Sequence, residues 1–131
     1  MGDLLGQGVR FGDAQHVMAA GEGIETILSL RQALPTMPMV SALSAGHLAP
    51  ILFPPHLRRL YIVRDNDPAG DSARDSLGDR AHEGGIEAIT LSPMMGDFNE
   101  DLATYGVDAV RAEIRVQIAP EDVSRFIASM A

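Results

Sequence analysis

The sequence contains no cysteine and no lysine. The first absence excludes a disulfide framework, a thiol nucleophile and a zinc ribbon within the chain. The second excludes Schiff-base chemistry and a Walker-A phosphate loop. Aromatic residues make up only 5%, so platforms for base stacking are sparse. No apolar run approaches the roughly 20 residues of a membrane helix. The N-terminal MGDLLGQGVRFGD has no basic segment followed by a long apolar one, and so does not read as a signal peptide. A cytoplasmic protein without membrane contact is the expectation. Positive charge is also scarce, and the formal net charge is -8. A stand-alone nucleic-acid binder normally shows a basic face. An acidic balance fits a collector of divalent cations, a domain whose basic partner lies elsewhere, or simply a soluble surface.

What remains is a folded domain of ordinary size. The chain has 131 residues, 46% hydrophobic and 21% charged, as expected for one soluble domain. Short apolar runs alternate with helical stretches, without repeats. His16 to Ala20, Met39 to Leu43, Arg59 to Val63 and Ile86 to Leu91 read as strands. Ile24 to Leu34 has helical apolar spacing and is stopped by Pro35 and Pro38. Pro68 opens a helix carrying Ala69, Ala73, Leu77 and Ala81 at every fourth place, a small face suited to close packing on a sheet. Helical turns are expected around His47 to Phe53 and a helix after Asp97, with Val107 to Val116 and Glu121 to Met130 as closing helices. The pattern predicts an α/β domain: about four parallel strands with helices on both faces, spanning 15–131. Residues 1–14 read as an arm or a remnant of a preceding region, with a hairpin character over Leu4 to Phe11.

The acids fall at informative places. Glu22 follows the first predicted strand, Asp65 and Asp67 the third, and Asp97 the fourth. Ligands of open parallel sheets bind at that carboxyl edge. Two carboxylates about 4 Å apart repel by roughly 4 kcal/mol at an effective dielectric of 20, and a divalent cation reverses the sign. Oxygen donors without histidine or cysteine suit magnesium or manganese. Each acid also has a local reading. Asp65-Asn-Asp67 before Pro68 suits a turn and an N-cap, Glu22 and Glu25 suit a helix start, and Asp97 suits a cap of the following helix. Arg64 reads as a phosphate contact or as a charge partner of its acidic neighbours. Arg58 and Arg59 are expected to be solvated, and Met94 and Met95 to fill core or loop. The four histidines form no ligand spacing, although His47 lies near a strand end.

Gly21-Glu-Gly-Ile-Glu-Thr26, then Asp65-Asn-Asp-Pro-Ala-Gly70, then Gly96-Asp-Phe-Asn99 resemble, in this order, the Toprim domain. The "SALSAGHL" segment adds to the likeness, which is strongest to primase-like Toprim proteins of phages, plasmids and integrating elements and covers about Val9 to Leu102. The resemblance implies a Toprim (Rossmann-like) fold and magnesium- or manganese-dependent nucleotidyl transfer, as in the primer synthesis of a DNA primase during replication. It implies that Glu22 serves acid/base catalysis or metal binding, that Asp65 and Asp67 bind the metal, and that Asp97 and Asn99 form a third acidic motif. Gly70 matches the glycine just inside the helix, where backbone approaches closely. With Arg64, Gly70 and Asn99 are the candidate substrate contacts. Two neighbouring aspartates are expected to raise the Glu22 pKa.

Three features depart from the primase pattern. Asp71 stands where a basic residue is frequent, Asn99 stands where a second acid is frequent, and no zinc module or basic polymerase subdomain is present. The chain is therefore expected to be an excised catalytic domain or part of a longer protein. Its expected partners are nucleic acid and nucleoside triphosphates, with help from other domains, and a replicative helicase. A small Toprim nuclease and a non-catalytic docking module are the alternatives. A topoisomerase is disfavoured, because Tyr61 falls inside a predicted strand and Tyr105 near a helix end.

Overall fold

Val17–Gly21 (β2) and Arg59–Val63 (β4) are almost continuously apolar, the mark of strands covered on both faces. Their side chains alternate between two cores. Val17, Ala19, Tyr61 and Val63 face one, and Met18, Ala20, Leu60 and Ile62 face the other. The computed structural model describes residues 8–14, 16–43, 48, 51–66 and 68–127. The remaining elements are β1 (Val9–Phe11), α1 (Ile24–Ala33), β3 (Met39–Ser41), α2 (Pro68–Glu83), β5 (Glu87–Leu91), α3 (Phe98–Tyr105), α4 (Val107–Arg115) and α5 (Pro120–Phe126).

The strands form one sheet in the order β1-β3-β2-β4-β5. β3, β2, β4 and β5 are parallel, the four strands expected, and β1 adds an antiparallel edge through Val9 opposite Ser41 and Phe11 opposite Met39. Residues assigned to an arm therefore take part in the sheet. α1, α3, α4 and α5 cover one face through Ile27, Leu30, Phe98, Val110, Ile114 and Phe126. α2 covers the other through Ala73, Leu77 and Ala81. Its small residues allow the close approach read from the sequence: a Cβ at Gly78 would stand 3.7 Å from Ile62 Cδ1. Among the described residues, no helix is long and apolar enough to cross a membrane.

Candidate metal-binding rim

The parallel register brings the carboxyl ends of β2 and β4 side by side, with Ala20 opposite Ile62. Paired strands lie about 4.8 Å apart. At the next position a Cβ on Gly21 would stand 3.0 Å from Ile27 Cδ1 and 3.1 Å from Val63 Cβ, so the close approach requires glycine. Glu22 is the first residue beyond β2, and Asp65 the second beyond β4. Both are half-buried. The Ser41 hydroxyl at the end of β3 donates to the Glu22 carbonyl oxygen (3.2 Å). The Thr26 hydroxyl, from the first turn of α1, donates to Asp65 Oδ1 (3.4 Å). The backbone of Glu22 and Asp65 thus follows neighbouring strand ends at one edge of the sheet.

Asp97 reaches this region indirectly. It is the N-cap of α3, with its Oδ1 accepting the Glu100 N–H at 2.8 Å. Glu100 Oε2 accepts the Gly96 N–H (3.3 Å), so the turn is closed from both sides. The loop before it lies against Asn66, whose backbone N–H donates to Gly96 O (2.8 Å) and whose side-chain amide donates to Met95 O. Asn99 accepts from the Ser29 hydroxyl (3.0 Å) and ties α3 to α1. Met94 and Met95 are exposed on this loop rather than in the core.

The Arg64 guanidinium donates to both Asp71 oxygens (2.8 and 3.3 Å) and to Asn66 Oδ1. These bonds hold the Asp71 carboxyl below the usual carboxylate range. The charge-partner reading of Arg64 is thus realised, and Asp71 at a position where a cation is common engages a cation of its own. Gly70 lies in the first turn of α2. Asp67 and His47 lie outside the described residues.

The sequence reading missed Asp101 and Glu113. Asp101 is fully buried and accepts the Met94 and Met95 N–H groups, which fixes the loop that docks Asn66. A signal existed: Asp101 follows Phe98 by three residues and Glu113 follows Val110 by three, on the buried phase of each helix.

Among the described residues, no group of three or more histidines or acids is placed to hold a metal ion. Glu22 and Asp65 supply an all-oxygen donor pair. That pair fits magnesium, which uses one or two protein carboxylates and leaves its other positions to water and phosphate. A cavity of about 330 Å³ lies elsewhere, lined by Asp13, His16, Thr36, Arg125 and Phe126 beside the start of β2.

The far end of β4 is structural. Arg59 is not solvated as expected: its guanidinium donates to Asp122 Oδ2 (2.8 Å), Glu87 Oε1 (2.6 Å) and Glu121. The buried Tyr61 hydroxyl donates to Asp122 and accepts the Ala119 N–H (2.9 Å). Burial, then the Asp122 bond, push its ionisation far above the ordinary value, so it is no nucleophile. Tyr105 ends α3 and is half-exposed.

A family model for the Toprim domain matches residues 17–108. No curated protein matches the sequence. Among solved structures, the primase fragment of the bacteriophage T7 primase-helicase protein is similar at a TM-score of 0.59 and 15% identity, over 80% of this chain and 44% of that one. The Aquifex aeolicus primase (zinc binding and RNA polymerase domains) is similar at 0.57 and 20% identity, over 78% of this chain and 26% of that one. A DNA primase domain from Pseudomonas aeruginosa gives 0.56 and 20% identity, over 78% and 33%. The chain thus corresponds to less than half of each of these solved chains, and at such identities the likeness is one of fold. With a family match over well more than half of its length, the chain belongs to the Toprim domain family.

Proposed function

We propose that this domain is the catalytic Toprim domain of a primase-like protein and carries out magnesium- or manganese-dependent nucleotidyl transfer. The observation that supports the reading is the adjacency of the carboxyl ends of β2 and β4, which Glu22 and Asp65 follow, with Thr26 holding Asp65. Glu22, Asp65 and Asp67 would hold the ion, together with Asp97. When bound, the ion neutralises charge on phosphate oxygens and orients them for in-line attack. The chain supplies the rest. Asp65 is oriented by the Thr26 hydroxyl, and the Glu22 backbone is anchored by Ser41. Glu22 takes the proton of the attacking 3′-hydroxyl. The Met94–Gly96 loop braces the Asp65 turn through Asn66.

The primase-like solved structures support this choice of reaction, and the acidic surface implies that template binding needs basic surface from elsewhere. A helicase partner is part of the same proposal, suggested by the T7 primase-helicase neighbour. The test incubates the chain with single-stranded template, labelled nucleoside triphosphates and magnesium. Growth of labelled oligomers that Asp65→Ala abolishes is the expected result. Strand cleavage would make it a nuclease, and neither product with metal binding intact would make it a docking module.

A further inference from the structure

Two acids away from the metal rim lie together, one fully buried and one partly so. Asp101, on α3, has no exposed surface, and its two oxygens accept the backbone N–H groups of Met94 (2.7 Å) and Met95 (2.8 Å). Glu113, on α4, packs beside it with Oε1 buried and without a hydrogen-bond partner among the described residues. The Met94 N–H faces both carboxylates and leaves Glu113 Oε1 without a donor. One proton on Glu113 supplies that donor and removes the repulsion, while Asp101 stays an acceptor for both loop amides.

The charges around Glu113 favour that proton. Asp101 is the ionisable group that acts on it, and the Met94 N–H is the opposing polar group. Arg111 of the same helix turns to Asp108 and to the Gln32 and Ala33 carbonyls of α1. Arg31 of α1 stacks on Phe11. Gln117 donates to the Glu113 backbone carbonyl and brackets Ser92 at the end of β5. Burial, followed by the neighbouring Asp101 carboxylate, pushes the Glu113 carboxyl up to about 7.

The loop held by this pair has a second attachment. Met95 O and Gly96 O both accept from Asn66, the residue next to Asp65. We propose that Glu113 carries a proton beside Asp101 and that the two act together as a positioning pair, holding the Met94–Gly96 loop in the shape that docks Asn66 and thereby sets Asp65 at the rim. Neither acid touches substrate; both act through the loop. Deprotonation of Glu113 places two like charges side by side in the interior, and the loop loses its hold on Asn66. The consequence for catalysis rests on the proposed function; the proton and the loop do not.

Amide and side-chain NMR signals followed between about pH 5 and pH 9 test the pair without reference to activity. The Met94 and Met95 amides and the Asn66 side-chain amide are expected to titrate together with a midpoint near 7. In Glu113→Gln, which keeps a donor but cannot ionise, the same signals stay at their low-pH positions across the range. Nucleotidyl transfer by that variant at neutral pH is retained, and any alkaline loss that follows the Asn66 titration disappears. Absence of the shared titration in the parent chain, or its persistence in Glu113→Gln, overturns the pair. Adding magnesium chloride separates the two readings. Titration as expected, with no magnesium response at Glu22, Asp65 or Asn66, would leave the pair standing and remove the proposed function.

Discussion

Replacing Asp122 by alanine should destabilise the domain severely while sparing the metal rim. Asp122 is 2% exposed and accepts from both the Arg59 guanidinium and the fully buried Tyr61 hydroxyl. Through it, α5 is tied to β4, which lies inside the sheet. The variant removes two bonds to a charged acceptor, each worth about 1.5–3 kcal/mol. Tyr61 keeps only its acceptor bond from Ala119, and its O–H loses its acceptor. Arg59 retains Glu87 and Glu121 at the surface, which softens the loss. The expected cost is about 3–5 kcal/mol, in the range seen when one partner of a buried ion pair is deleted. For a domain of this size that lowers Tm by roughly 10–20 °C. Urea unfolding followed by circular dichroism measures it, with an unchanged m-value. Tyr61→Phe should cost about 1–2 kcal/mol, and the double variant should cost less than the sum of the two, because the lost bond is shared. An Asp122→Ala cost below about 1 kcal/mol, or strict additivity with Tyr61→Phe, would refute the reasoning.

Gly21→Ala places a Cβ 3.0 Å from Ile27 Cδ1 and 3.1 Å from Val63 Cβ. Chemical denaturation should show a loss of about 1–3 kcal/mol, and calorimetry a weaker magnesium affinity as the Glu22 turn shifts. Asp97→Ala removes the α3 cap and should cost about 1 kcal/mol in thermal unfolding, most of it recovered by Asp97→Ser. Folding raises the Glu113 carboxyl from 4.5 to about 7, so the folded state binds that proton more tightly than the unfolded chain. Its stabilising contribution is present below pH 4.5 and lost as pH rises towards about 7, a slope that urea titrations at stepped pH should find and Glu113→Gln should lack.

The parallel sheet was legible because its central strands are apolar on both faces and bounded by glycine, proline or acids, as in Val17–Gly21 and Arg59–Val63. Even the close seat of α2 was legible, from small residues four apart. The edge was legible because strand direction alone puts the backbone of Glu22 and Asp65 beyond the same ends of β2 and β4. What stayed hidden depends on long-range pairing. β1 is three residues long and carries no periodic signal, so its antiparallel pairing with β3 has no local cause. Arg59 looked solvated because Glu121 and Asp122 lie more than 60 residues away along the chain. Asp101 and Glu113 looked like ordinary helix acids. Only the phase they share with Phe98 and Val110 marked them as facing inward, and only the packing of α3 against α4 made them a pair.

The central claim concerns one ion at one rim, and anomalous scattering from a crystal soaked in manganese reads it without any assumption about activity. The account predicts an anomalous peak at the carboxyl ends of β2 and β4, coordinated by oxygens of Glu22 and Asp65 at about 2.0–2.3 Å, and lost in Asp65→Ala. A peak elsewhere on the molecule, or one beside Asp65 with Glu22 turned away from it, would contradict it.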